Sequence, residues 1–431
     1  MKLYLNHKVA MMLFVASLSG NIQTSDAQSA SRDTLQINLR EAEKIVLDKN
    51  LSALAARYNI DANKALVRQA KLWDNPVLNT DQNIYDGKFF RHDASGGQVY
   101  VQVMQLIHTA GKLNKAAQLA LDNTTLSEIQ FDELMRTLRY TVRNDLEEAS
   151  HLLKIKNVYN SEILEVEKLV KGMDEAFKTG DIALKDNIRV KALLFSLQNE
   201  SNITESQLIQ LQLEIRTLLQ TNENIFIKPV LSYKFGELTK AELSALDSLK
   251  HTALECRTDI RMANASLEYQ NHNLIYQRSL AKPDVSAGIE YDRLSSYAPN
   301  YFGLALSIPL PVFNRNQGNI KAAQFSVKSQ QALSNQVKSN VENEVLTAYK
   351  KVLFQQHINN EAQLEFSKDY DKLFQNMLNS YKERQLGLLE FIDFMDAYKD
   401  TKLKLTDQHH ELIKSIEELN YAIGKDIINI N

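Results

Sequence analysis

The chain has 431 residues, 44% of them hydrophobic and 24% charged, with a formal net charge of −3. Acids and bases are mixed along it with no polybasic tract, which argues against a nucleic-acid partner, because neutralising phosphates takes a basic surface. The single cysteine, Cys256, cannot form an internal disulfide, so packing must hold the chain together, and the thiol is expected to be free and buried.

The N-terminus opens with Lys2 and Lys8, continues through the apolar run from Val9 to Leu18, and reaches small residues ending in Ser25-Asp26-Ala27. That order of charge, apolar core and small-x-small site predicts a secretory signal peptide over residues 1–27. No cysteine follows the site to carry a lipid. Farther on, no apolar stretch approaches the ~20 residues of a membrane-spanning helix, so any membrane insertion must use β-strands.

Thirteen glycines and six prolines divide the remainder. Neither occurs between Gly111 and Gly172, from Asp181 to Lys228, from Glu237 to Lys282, from Asn319 to Leu386, or from Leu388 to Ile423. Strong helix formers fill those stretches. In the first, Phe131, Leu134, Leu138, Val142, Leu146, Ala149 and Leu153 recur at helical spacing. A helix of about 60 residues would run about 90 Å, beyond the globular range and into that of coiled coils.

Strand patterns are read in two places, each after a proline. Leu78, Thr80 and Ile84 alternate with Asn79, Asp81 and Asn83, and then Val99, Val101 and Val103 with Gln98, Tyr100 and Gln102. Later, Val285, Ala287, Ile289 and Tyr291 alternate with Ser286, Gly288 and Glu290, and then Phe302, Leu304, Leu306 and Ile308 with Gly303, Ala305 and Ser307. Runs of about ten residues, apolar on one side and polar or small on the other, suit transmembrane strands facing lipid and a watery lumen.

The two hairpins expose an internal duplication. Lys115-Ala116-Ala117-Gln118 recurs as Lys321-Ala322-Ala323-Gln324, Pro76 matches Pro283, and the segment from Phe177 to Leu184 matches that from Tyr381 to Leu388. The expected organisation is a first repeat over 28–221, an equatorial segment over 222–248, a second repeat over 249–424 and a tail over 425–431. Each repeat reads as helix, hairpin (about 76–107 and 283–310), very long helix, turn and shorter helix. The fold class is mainly α with a membrane β-barrel part. Four strands cannot enclose an open lumen, and open edges are not tolerated in lipid. Three copies related by cyclic symmetry would supply a 12-stranded barrel.

The segment Ile308-Pro309-Leu310-Pro311-Val312-Phe313-Asn314-Arg315-Asn316-Gln317-Gly318-Asn319-Ile320 and the duplicated plan resemble the TolC-like outer membrane factor family, closest to its heavy-metal efflux branch. The resemblance implies a homotrimer in outer membrane lipid with a helical barrel in the periplasm. It also implies docking through a periplasmic membrane-fusion adaptor onto an inner membrane pump of the RND type, metal cations as cargo, no cofactor and no catalysis. Carried over from Tyr381, the family's acidic periplasmic constriction falls on Glu390 and Asp393. Asp396 lies one step along the same helix side, and Asp186 is the first-repeat counterpart of Glu390. Adaptor docking is expected at the tip turns, on Thr179, Gly180 and Asp181 and on Arg384, Gln385 and Gly387.

Other readings fit less. Among nine histidines no His-x-x-x-His pair occurs, and the adjacent His409 and His410 are expected to be exposed polar residues. No phosphate loop or nucleophile elbow appears. A coiled-coil scaffold or surface protein leaves the hairpins without purpose, and a periplasmic adaptor would need a compact β-domain. Drug or small-molecule efflux and type I secretion remain alternatives for the cargo.

Overall fold

The computed structural model describes residues 33–93, 96–221, 224–231, 233, 235–296, 298–383 and 385–429. The expected signal peptide and Arg384 lie outside these residues. Strand β1 (Thr34–Ile37) leads into α1 (Leu39–Lys49) and α2 (Leu51–Gln69). Strands β2 (Val77–Gln82) and β3 (Val99–Ile107) form the first hairpin, followed by α3 (Lys112–Thr179) and its return, α4 (Leu184–Leu219). Strand β4 (Phe226–Pro229) and the short α5 (Phe235–Leu238) cross to the second repeat. There α6 (Leu246–Cys256) and α7 (Thr258–Leu280) precede β5 (Val285–Leu294) and β6 (Pro299–Ser307), and α8 (Gln317–Ile358), α9 (Glu361–Lys382) and α10 (Leu388–Ile423) follow.

Helix α3 is unbroken over 68 residues, about 100 Å at 1.5 Å per residue. Its partner in the second repeat is not. The very long helix expected there breaks at Asn359–Asn360 into α8 and α9, with the Asn360 side chain capping α9 by accepting from the Gln363 amide. The helices ahead of the hairpins are broken too. Asn50 ends α1 and caps α2, accepting from the amides of Ser52 and Ala53, and Arg257 occupies the corresponding place between α6 and α7. No glycine or proline marks these breaks; extended backbone at Asn50 and Arg257 makes two of them, and at Asn50 and Asn360 side-chain amides take over the orphan N–H groups of the following helix.

Three cores hold the helices together. One joins β1, α1, α3, α4 and β4 around Val142, Leu146 and Ile215. Another joins α6, α8 and α10 around Val341, Val345 and Leu412. The third, near the far end, joins α3, α4, α9 and α10 through Val166, Val190, Phe374, Phe391 and Met395.

The equatorial segment adds a pair of strands that alternation could not reveal at four residues each. Strand β1 runs parallel to β4, from Thr34 opposite Phe226 to Ile37 opposite Pro229. Cys256 is exposed rather than buried, because it is the last residue of α6, past the buried stripe of Leu249 and Ala253. His409 and His410 are half-buried rather than exposed, His410 stacked on His151 and His409 tilted against Phe235.

Candidate functional site: a lipid-facing sheet and a helical tip

The two hairpins join through β3 and β5 into one antiparallel sheet of order β2-β3-β5-β6. The pairing Thr80–Val101–Tyr291–Phe302 and Leu78–Val103–Ile289–Leu304 puts these alternates on one side. That side is uncovered: Phe302 is 77% exposed, Leu304 80% and Leu306 64%. None of the three helical cores includes a residue of this sheet. Strand β2 stops at Gln82, shorter than the alternation predicted, so Ile84 lies in the connecting loop.

On the opposite side the residues bond to one another. Tyr100 Oη and Gln102 Nε2 donate to Glu290 Oε2 at 2.9 and 3.0 Å, and Gln98 Nε2 donates to Asp292 Oδ1 at 2.8 Å. With Asp81 this side carries three carboxylates, and the only basic residue in the four strands is Arg293. Aromatic side chains rim the sheet at both ends, with exposed Trp73 and Phe313 at the helical end and exposed Tyr85, Phe89 and Phe90 in the loop after β2. An apolar band between two aromatic rims suits a lipid-facing sheet.

The helical end of the sheet is clamped. Asp284 accepts from the Thr109 amide (2.9 Å) and lies 2.7 Å from Lys112 Nζ, while His108 bridges Asp284 and Asp74 at 3.2 and 2.6 Å. The two hairpins and the start of α3 are thereby fixed to each other. Ala110, Gly111 and Asn316 take positive φ where the strands hand over to α3 and α8.

At the other end, α3 stops at Gly180, which adopts φ 83° as its cap. Thr179 Oγ1 donates to Ala176 O and to the Asp181 carboxylate, which tightens that turn. In the second turn Gln385 Nε2 donates to Glu383 Oε2, while Gly387 has φ −72° and caps α10 in a conformation open to any residue. Both turns abut the third core through Ile182, Leu386 and Leu388. Thr179, Gly180, Asp181, Gln385 and Gly387 therefore share one end of the molecule.

Helix α10 buries Phe391, Met395 and Tyr398 and exposes Glu390, Asp393, Asp396 and Asp400 on the opposite side. Glu390 stands in the first turn, where the helix dipole favours an anion. Asp186 opens α4 in the same way, and its charge, second to burial, raises the Tyr381 phenol on α9. Asp396 is drawn into a group of its own. Lys399 Nζ lies 3.2 Å from Glu200, 3.7 Å from Asp400 and 3.9 Å from Asp396. Beneath it Glu162 of α3 is 1% exposed, and burial together with the carboxylates of Asp396, Glu200 and Asp400 pushes it up to about 8 against the pull of Lys399. Sequence reading missed Lys399, Glu162 and Glu200. The available signal was Lys399 three residues after Asp396, a spacing at which opposite charges meet on a helix.

Residues 249–383 match the family model for outer membrane efflux protein. No curated protein matches the sequence. Among solved structures the chain is similar to a membrane protein from Pseudomonas aeruginosa, at 16% identity and a TM-score of 0.73, with 90% of each chain covered. It is also similar to CusC, solved for its folding and transmembrane channel formation, at 17% identity and a TM-score of 0.70 over 90% of this chain and 92% of that one. The outer membrane protein VceC from Vibrio cholerae aligns at 14% identity and 0.70 over 90% of this chain and 96% of that one. The matched family model is that of outer membrane efflux proteins, and CusC and VceC are a transmembrane channel and an outer membrane protein. Residues 249–383 thus match the outer membrane efflux protein model, and over nine-tenths of its length the chain has the fold of the solved outer membrane channels.

Proposed function

We propose that three copies of this chain close into a single outer membrane duct, the passive exit of a tripartite efflux assembly fed by an inner membrane pump through a periplasmic adaptor. The observation that carries this reading is the four-stranded sheet. Its apolar side is uncovered, and its outer strands β2 and β6 each have an unpaired edge. Backbone groups at such an edge cost several kcal/mol each in hydrocarbon unless another strand pairs with them. Twelve strands from three copies satisfy every edge and leave a lumen.

In that ring Glu390 and Asp393, with Asp396 and Asp186 beside them, form the periplasmic constriction. The turns at Thr179, Gly180 and Asp181 and at Arg384, Gln385 and Gly387 receive the adaptor. Metal cations are the proposed cargo, a reading supported by the three carboxylates and the absence of lysine or arginine on the polar side of the strands, since carboxylate rings favour cation passage. The test is the mass of the detergent-purified protein together with its conductance in planar bilayers. A trimer that conducts is expected; a monomer with intact helicity would overturn the reading.

A further inference from the structure

One group of side chains between the sheet and the tip takes part in neither. His151 of α3 and His410 of α10 stack with ring centroids 4.3 Å apart and planes inclined by 16°. Each ring is tied to the other's helix: His410 Nε2 lies 2.9 Å from Glu148 Oε2, and His151 Nε2 lies 3.3 Å from Asp407 Oδ1. In each helix the carboxylate precedes the histidine by three residues, so the antiparallel helices present the same acid-x-x-His pair to each other in reverse. His410 Nε2 donates to Glu148, which leaves its Nδ1 the bare nitrogen, and His151 turns Nε2 toward Asp407; both Nδ1 atoms are buried without a partner. A proton arriving there finds no acceptor, and two protons place like charges face to face.

The same level holds the break in the second long helix. Asn359, buried at the end of α8, donates to Gln408 O at 3.3 Å, and Gln363 of α9 donates to Gln408 Oε1 at 3.0 Å. Gln408 lies between Asp407 and His409, and Phe235 of α5 covers His409 with ring centroids 4.0 Å apart. The joint between α8 and α9 therefore leans on the turn of α10 that carries the histidine pair.

We propose that this reciprocal pair is a proton-released clasp between the two repeats, holding α10 against α3 while both imidazoles are neutral and freeing α9 and the lower part of α10 to pivot at Asn359–Asn360 when both are charged. What that release achieves, an easier opening of the tip, rests on the channel reading above.

The surroundings fix the sign. From α3 the pair is faced by Glu147, Glu148 and Lys154, from α10 by Asp407, Glu411 and Lys414, and from the equatorial segment by Tyr233 through Glu147. Burial, then His410 and Lys154, holds His151 down to about 4. Once released into water it returns to about 6.5, so acid favours the released form between those values. Glu148 is pushed down by its bond to His410 and Asp407 up by burial, so their effects run in opposite directions. Glu147, pushed up to about 7 by burial, bonds to Tyr233 rather than to α10 and keeps its cover when the clasp opens.

The experiment uses the full chain in a Cys256→Ser background, with spin labels at the exposed Lys171 of α3 and Leu389 of α10 and with labelled chains diluted by unlabelled ones. Between pH 7.5 and pH 5 the ratio of separated to closed label pairs should rise about tenfold. The His151→Gln/His410→Gln variant should lose that response and stay closed. The Glu148→Ala/Asp407→Ala variant, which removes both acceptors, should already be separated at pH 7.5. Labels that do not move in the unaltered chain, or that move equally in the histidine variant, overturn the clasp. Conductance measured over the same pH range separates the two readings: labels that part while current stays unchanged uphold the clasp and remove the tip as gate.

Discussion

Arg143 in the first repeat and Glu417 in the second lie 3.3 Å apart, both nearly sealed from water. The same guanidinium also holds Glu43 and Asp426, so one side chain ties α1, α3, α10 and the C-terminal tail together. Burial works against that charge, but its carboxylate partners raise the Arg143 pKa above its ordinary value. The Arg143→Met variant strands the buried Glu417, leaves Glu43 only Arg139, and should lose about 3 kcal/mol of stability. Pairing it with Glu417→Leu should recover much of the loss, because a buried ion pair exchanged for apolar packing is often near neutral. Denaturant unfolding of the detergent-purified protein measures both.

Glu162 gives a pH dependence of definite sign. Its folded value, about 8, lies above the ordinary 4.5, so the folded state costs nothing extra in acid and pays increasingly as pH rises through that interval. Replacing it by glutamine should leave stability unchanged at pH 4 and raise it by on the order of 2 kcal/mol at pH 9. Thermal melts of the two proteins across that range are the measurement, and parallel curves would contradict the assignment.

At the tip, replacing Glu390 and Asp393 together by Ala should raise single-channel conductance and weaken block by divalent cations. Asp396 stands within reach of Lys399, so Asp396→Ala alone should change current less than the double variant does. Current–voltage records with and without divalent salt decide the point.

The two tip glycines should behave differently. Gly180 sits at φ 83°, so Gly180→Ala forces a side chain into the left-handed region at a cost of about 1 kcal/mol. Gly387→Ala, at φ −72°, should cost nothing measurable. Hydrogen exchange of the amides flanking each turn separates the two cases.

In the sheet, Leu304→Arg should destabilise membrane insertion by about 2–4 kcal/mol. Ser307→Arg, on the polar side near the strand end, should be tolerated. Recovery of folded protein in outer membranes is the readout.

The large features of this architecture were legible because they repeat with a period. Alternation in the strands and three-four spacing in the helices gave the hairpins, their faces and the duplication, and the paired Ala117 and Ala323 are both buried as matching positions should be. The helix breaks at Asn50, Arg257 and Asn359 were not legible, since all three lie inside good helix-forming sequence and depend on capping and on neighbours from other helices. Strands β1 and β4 are too short to show alternation. The pairing of His151 with His410, 259 positions away, and of Lys399 with Glu200, 199 positions away, is one that only packing reveals. Arg384 lies outside the described residues. The tip turns follow from local chemistry in the first repeat, where Gly180 is needed, but Gly387 does no comparable work.

The sheet's two borders are unlike: β2 offers six residues and β6 nine, and they come from different repeats. A twofold dimer that paired β6 with β6 would bury one seam and leave two short ones bare in the bilayer. In the proposed ring, growth by adding copies would be polar, each newcomer docking with one border and presenting the other, until the first and last meet. A subunit missing either border would stall that sequence for its intact neighbours, so a single defective allele should poison assembly in a cell that also makes the normal chain.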